Sequence, residues 1–253
     1  MTHGEQIIEF SEREWTRKSQ FNGIWSKELD EVFSDVAAYY DRANRFATLG
    51  LWDWLHNGFI STIELQGGQA MLDVCAGTNT IGISCMGRQP DLKVFAIDRS
   101  VAMQEMGRKS AAAQGFHVAS TIGDVHHLPY PDNHFDLVTL RFASRHLKVV
   151  EVFREIKRVL KPGGTFYHCD MLRPANRIVE NLYYAYLYFC LNTTALFFKS
   201  GSSALACRKY FVDAIQLFYS VDELSRLLQQ LGFHNVEGKN ILAGTVGYHK
   251  AVK

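Results

Sequence analysis

Residues Met71 to Ile83 read M-L-D-V-C-A-G-T-N-T-I-G-I, and the next apolar run, K-V-F-A-I-D, ends on Asp98. The pairing predicts a buried strand, a tight turn of small residues, a helix, and a second strand that ends on a carboxylate. In an open parallel sheet this order sets a nucleoside-like ligand over the carboxyl ends of the strands. Small residues in the turn let the backbone approach that ligand closely. An acid about twenty residues further on can accept both hydroxyls of a ribose.

The details separate two classes of cofactor. A dinucleotide fold wants G-x-G-x-x-G and a helix N-terminus open to a pyrophosphate. This turn keeps only Gly77 of that pattern, and Asp73 stands four residues before it. An acid there repels a pyrophosphate and suits a ligand carrying an ammonium or a sulfonium, as S-adenosylmethionine does. The competing reading is an ordinary strand-to-helix turn, with Asp73 and Asp98 capping the helices that follow them. Their joint place at the ends of adjacent strands favours the ligand.

The rest of the chain reads as alternating strand and helix. Gly67-Gly68 breaks the chain before the first strand, and a helical pattern covers Val32 to about Leu65. A helix is expected over about Ser100–Gln114 with Ser100 as its cap, then a strand near His117–Ile122. The turn L-P-Y-P-D-N-H leads to the strand F-D-L-V-T-L. A helix over about Val149–Leu160 is expected to stop at K-P-G-G, followed by a strand at Thr165–Cys169. A further helix, Val221–Leu231, precedes two apolar runs around Gly244 that fit an edge hairpin. The fold class is therefore α/β: a Rossmann-like, doubly wound sheet, mostly parallel, with an antiparallel C-terminal edge hairpin.

Residues 1–30, polar with scattered Trp15, Phe21 and Trp25, read as an N-terminal extension to a domain over 31–253. Asn181–Lys199 is apolar and aromatic but too short and too interrupted to span a bilayer. It reads either as a buried helix or as an aromatic lid, about 175–210, facing a greasy ligand or a membrane surface. A net charge of +1 gives no electrostatic case for a nucleic-acid partner. Five cysteines, Cys75, Cys85, Cys169, Cys190 and Cys207, lack metal-type spacing. They read as reduced thiols of a cytoplasmic protein, and Met1–Ser11 shows no secretory pattern.

Several stretches resemble the ubiquinone/menaquinone biosynthesis C-methyltransferase family, from about Val32 to Lys253. F-S-D-V-A-A-Y-Y-D-R-A-N is similar to its opening helix, with Tyr40 and Asp41 as the Tyr-Asp pair. G-D-V-H-H-L-P-Y-P-D-N-H-F-D and R-V-L-K-P-G-G are shared with class I methyltransferases generally. Y-F-V-D-A-I-Q-L-F, L-G-F-H-N-V and N-I-L-A-G-T-V-G-Y-H-K-A-V-K resemble quinone methyltransferases in particular. The resemblance implies the class I methyltransferase architecture and C-methylation of a quinol ring with S-adenosylmethionine as donor. It implies donor contacts from Tyr40, Asp73, Gly77, Thr78 and Asp98, with Asp124 and Val125 flanking the adenine and Arg141 nearby. Arg145, in S-R-H-L, matches the arginine that the family associates with activating the quinol ring through water. The implied partner is a quinol with an apolar tail; peripheral contact with the inner face of a membrane, and a homodimer, are left open.

The chain departs from the family in two places. Its turn reads A-G-G-T-G-D where this chain has C-A-G-T-N-T; Asn79 can still take a left-handed backbone in place of a glycine, and Thr80 replaces a carboxylate. Arg141 stands where the family offers a small serine, and its charge near a sulfonium is unfavourable without a counter-charge. These departures leave open a methyltransferase for another small apolar molecule, or a donor-binding homologue without transfer. For the phenolic proton the candidates are His126, His127 and His146, with Asp124 as an orienter. Each of those histidines also has a bland reading as a hydrogen-bonded structural residue, and Arg145 as a surface or capping cation.

Overall fold

The computed structural model describes residues 3–25, 29, 42, 44, 45, 48, 50–197 and 208–253. Five parallel strands lay down the sheet: β1 (Ala70–Val74), β2 (Lys93–Asp98), β3 (Ala119–Ile122), β4 (Phe135–Arg141) and β5 (Leu160–Met171). An antiparallel pair, β6 (His234–Ile241) and β7 (Val246–Val252), completes one edge, with β7 hydrogen-bonded to β5. The order β3-β2-β1-β4-β5-β7-β6 reverses between β1 and β4. In such a sheet the crevice beyond the carboxyl ends at the reversal is where ligands sit.

The central strands are mostly apolar because both faces of the sheet are covered. Leu72 and Val74 of β1 share one core layer with Val138 and Leu140 of β4; Met71 and Leu137 belong to the other. The first layer is closed by α5 (Val149–Val159) and α8 (Val221–Gln230). Val149, Val152, Phe153 and Ile156 stand at the spacing that puts them on one face of α5. The second layer is closed by α2 (Trp52–Thr62), through Leu55 and Phe59, and α3 (Thr80–Arg88), through Ile81 and Cys85. Ser100 caps α4 (Val101–Ala113) by accepting from the Met103 amide, and Ser220 with Glu223 forms a capping box on α8.

One boundary differs from the sequence expectation. α5 ends at Val159, and Leu160 already pairs with Phe135. The K-P-G-G segment does not stop the helix; it bulges out within β5, and pairing with β4 resumes only at Thr165↔Leu137. Gly163 lies at φ 77°, and a Cβ on Gly164 would come within 2.8 Å of the Lys161 carbonyl oxygen, so the bulge demands both glycines. The expected helix over Val32–Leu65 is described only in part, as α2. Tyr40 and Cys207 lie outside the described residues.

Three further helices decorate the sheet: α1 (His3–Gly23), α6 (Arg177–Phe197) and α7 (Arg208–Gln216). α1 packs against the body through Phe10, whose ring lies 5.6 Å from that of Tyr219, and through Phe21, 5.1 Å from Tyr210. Tyr183 and Tyr184 of α6 pack on Val212 and Ile215 of α7. Among the described residues no helix is long and apolar enough to cross a membrane.

Candidate active site

The turn after β1 is wound by three left-handed residues, Cys75 (φ 54°), Gly77 (φ 52°) and Asn79 (φ 59°). Asparagine tolerates that region better than most side chains, so the turn forms without the glycine that the family has at this position. Helix α4 holds it from behind. Gln104 Nε2 donates to the Gly77 carbonyl at 2.9 Å and to Asn79 Oδ1 at 3.0 Å. A Cβ at Gly107 would fall 2.6 Å from Asn79 Nδ2 and 2.8 Å from the Thr78 backbone carbon, so only glycine lets α4 approach this closely. Neither Gln104 nor Gly107 carried a sequence signal beyond its place on a helix.

A cleft opens over this turn, about 950 Å³ with its mouth included, running from the end of β2 across β1 to the end of β4. Asp73, Gly77, Thr78, Asp98 and Arg141, all expected donor contacts, line it together. Asp98 accepts the Gly77 amide on Oδ2 and the Ser100 amide on Oδ1, both at 2.8 Å. The two amides orient the carboxylate at the end of β2. Asp73 is buried and accepts the Thr139 hydroxyl on Oδ1 at 2.7 Å. Its Oδ2 is buried and makes no close hydrogen bond among the described residues, although the Gly82 amide bears on the carboxyl. Burial lifts this carboxyl to about 7, against the pull of the Thr139 hydroxyl and the Arg141 charge. A buried acid left in this state is a seat for a cationic group.

Arg141 reaches the cleft beside two stacked rings. Its guanidinium carbon lies 4.5 Å from the Trp52 ring centre and 4.7 Å from that of Phe142. Its Nη1 donates to His56 Nδ1 at 2.8 Å, and His56 Nε2 meets Ser84 Oγ at 2.8 Å. Burial and the neighbouring Arg141 charge hold His56 at about 4, so the ring is neutral and accepts from the arginine.

The other expected residues lie elsewhere. Arg145 is buried behind the cleft wall in an ion pair with Asp170 and donates to the Phe142 carbonyl at 2.9 Å. Ser144 joins the same cluster, donating to Asp170 Oδ2 at 2.5 Å and meeting His168 Nε2 at 2.8 Å. Val125 is buried in the core layer of α5. Asp124 is exposed and pairs with His126 Nδ1 at 2.6 Å; burial works against its charge, but the His126 amide and ring hold its carboxyl below the usual range. His126 Nε2 accepts the Lys148 amide at 3.2 Å, and His127 is exposed. His146 does line the cleft, with Nδ1 bonded to the Tyr210 hydroxyl at 2.6 Å, which also accepts the Trp25 indole N–H at 2.9 Å. Burial pushes the His146 ring well below its ordinary pKa, so it is neutral.

These residues fit S-adenosylmethionine: an oriented acid for a ribose and, on the neighbouring strand, a buried acid for an ammonium, both lining one cleft. A reversed α/β sheet with acids on neighbouring strand ends, and no pyrophosphate turn, defines a class I S-adenosylmethionine-dependent methyltransferase. The chain belongs to the ubiE/COQ5 methyltransferase family, whose pattern it matches over residues 22–253. It is 30% identical over 229 residues to a demethylmenaquinone methyltransferase of Symbiobacterium thermophilum, spanning 88% of this chain and 91% of that one. It is 30% identical to the ubiquinone/menaquinone biosynthesis C-methyltransferase UbiE of Pseudomonas entomophila, over 90% of each chain. In fold it is similar to a SAM-dependent methyltransferase of Aquifex aeolicus, with a TM-score of 0.54 at 18% identity over 78% of this chain and 88% of that one.

Proposed function

We propose that this chain moves a methyl group from S-adenosylmethionine to a ring carbon of a quinol bearing an apolar tail. The observation that carries the reading is the pair of acids, buried Asp73 and amide-oriented Asp98, that line one cleft at the ends of neighbouring strands. Gly77, Thr78 and Asp98, which line the cleft, hold the nucleoside, and Tyr40 is a donor contact by family position. The substrate side follows the relatives named for demethylmenaquinone and for ubiquinone/menaquinone C-methylation. The β4 end of the cleft, with Trp52, Phe142 and Leu147, offers an apolar ring the surroundings it needs.

The donor, when bound, supplies a methyl on an already activated sulfonium. The protein therefore positions the ring carbon in line and excludes water. Arg145 serves here as a positioning residue: through Asp170 and the Phe142 carbonyl it fixes the wall against which the ring lies. His126 orients Asp124.

A tailed quinol resides in a bilayer, and α6 turns Ile178, Leu182 and Phe189 outward on a single stripe. That stripe is the surface that meets the membrane. Incubation with S-adenosylmethionine and a panel of reduced naphthoquinols and benzoquinols tests the reading. A ring-methylated quinol and one S-adenosylhomocysteine per turnover are expected; no product with any quinol, from protein that binds the donor, refutes it.

A further inference from the structure

We infer that α1 is part of the active site and that Arg17 is a positioning residue for the quinol, holding the turn that carries the acceptor wall of the cleft. The inference rests on the acceptor end assigned above and deepens it. The family pattern begins at residue 22, so it assigns no role to α1 up to Phe21.

The wall comes off the end of β4. Phe142, Ala143, His146 and Leu147 line the cleft, and a 3₁₀ turn, Ser144–His146, lies among them. Phe142 stands at φ 54°, a left-handed backbone that a phenylalanine keeps only where its surroundings impose it. From β5 the Cys169 carbonyl accepts the Phe142 amide at 2.7 Å, which fixes the start of the wall. Its far end is fixed from α1. A turn this short has few amides to offer its last carbonyls. Arg17 Nη2 donates to those of Arg145 and Leu147, at 3.0 Å each. The two hydrogens of one nitrogen thus pin the backbone on both sides of His146. The His146 ring is held from the same quarter: Tyr210 bonds its Nδ1, and the Trp25 indole, just past α1, donates to Tyr210.

Docking alone does not call for this residue. Phe10 and Phe21 already pack α1 on the body, and Arg13 pairs with Glu223 at 2.9 Å. Arg17 is fully buried, its charge met by Glu14 and its face laid on the Phe218 ring. A buried ion pair is costly beside apolar packing of the same size. What it supplies instead is direction, because it sets two carbonyls to within hydrogen-bond length. Methyl transfer needs that precision: a ring carbon displaced by about 1 Å from the line of attack can lose on the order of 100-fold in rate. The donor side lies across the cleft, where Gly77, Thr78 and Asp98 gather at the ends of β1 and β2. Arg17 therefore bears on the quinol and not on the nucleoside.

Anaerobic kinetics with whichever quinol of the panel above turns over fastest test this. Arg17→Gln should lower kcat/KM for the quinol by about 10- to 100-fold while donor affinity, read by calorimetry, changes by less than about threefold. Arg13→Gln removes the other ion pair of α1 and should leave kcat/KM unchanged. An unchanged kcat/KM in Arg17→Gln overturns the inference while the function stands. So does an equal loss of kcat/KM and donor affinity, or an equal loss in both variants, since either reduces Arg17 to docking. Hydrogen exchange on the unaltered protein decides the matter should Arg17→Gln not fold. Coupling is reciprocal, so the same quinol, added with S-adenosylhomocysteine, should slow exchange of the α1 amides severalfold beyond S-adenosylhomocysteine alone. No added protection of α1 overturns the inference. Absence of product from the unaltered protein with every quinol removes the acceptor reading, and this inference with it.

Discussion

Two helices that decorate the sheet, α1 and α6, reverse what their compositions suggest. α1 reads as polar, yet it docks firmly through a charge. Arg17 is fully buried, donates to the Arg145 and Leu147 carbonyls at 3.0 Å each, pairs with Glu14, and lies over the Phe218 ring at 4.8 Å. α6 reads as greasy, yet it leaves Ile178, Leu182 and Phe189 exposed by 72%, 68% and 65%. Apolar content alone did not decide which helix is part of the body. What decided it was whether the groups opposite were complementary: two loop carbonyls called for a donor, and Nη2 of Arg17 supplies both hydrogen bonds.

The largest effect that sharpens this contrast is expected from Arg17→Met. It strands two buried carbonyls and Glu14 and should cost about 3–5 kcal/mol in urea unfolding. A loss no greater than that of Ile178→Ser would break the comparison. Next is the cleft wall that α1 supports. Asp73 stands at about 7 in the folded chain against an ordinary 3.8, so the folded state holds a proton that the unfolded chain has released between those values. Folding stability should therefore fall as pH rises through that window and level off above about 7. Asp73→Asn should be more stable at pH 8, by roughly 4 kcal/mol at most, and should lose donor affinity. Binding a cation favours the ionised acid, so donor affinity should rise with pH through about 7 with release of a proton. Calorimetry in buffers of different ionisation enthalpy measures that release.

A smaller loss is expected for Asp98→Ala, about 1.5–3 kcal/mol of donor affinity for each ribose hydrogen bond removed, read by titration. The smallest change in folding belongs to α6. Serine at Ile178, Leu182 and Phe189 together should alter stability by about 1 kcal/mol while abolishing co-sedimentation with vesicles. Undiminished sedimentation would make the stripe an ordinary exposed face.

The sheet, the turn, the Ser100 cap and the edge hairpin were legible because each depends on neighbours in sequence. Asp73, Gly77 and Asp98 were legible for the same reason, because strand ends and the turn between them fix what faces the cleft, whereas Thr78 and Arg141 came from the family resemblance. What escaped depends on distant partners. Nothing in the α1 sequence marks Arg17, since its carbonyls lie some 130 residues away. The roles of Gln104, Gly107, His56 and Trp52 arise only when their helices close on the turn or on β4. Arg145 was recognised by resemblance, but its partner Asp170 comes from the next strand, which turns the side chain into the wall. The K-P-G-G segment looked like a helix stop because proline and glycine break strands and helices alike, and only the register with β4 shows which.

Trp52 lies in the cleft lining under the Arg141 guanidinium, whereas Trp15 and Trp54 face solvent at 71% and 55% exposure. An indole pressed against a cation in a half-dry wall has an emission colour set by whatever fills the space beside it. The protein thus carries its own optical gauge: ligand entry can be followed by intrinsic fluorescence, in real time and without a label.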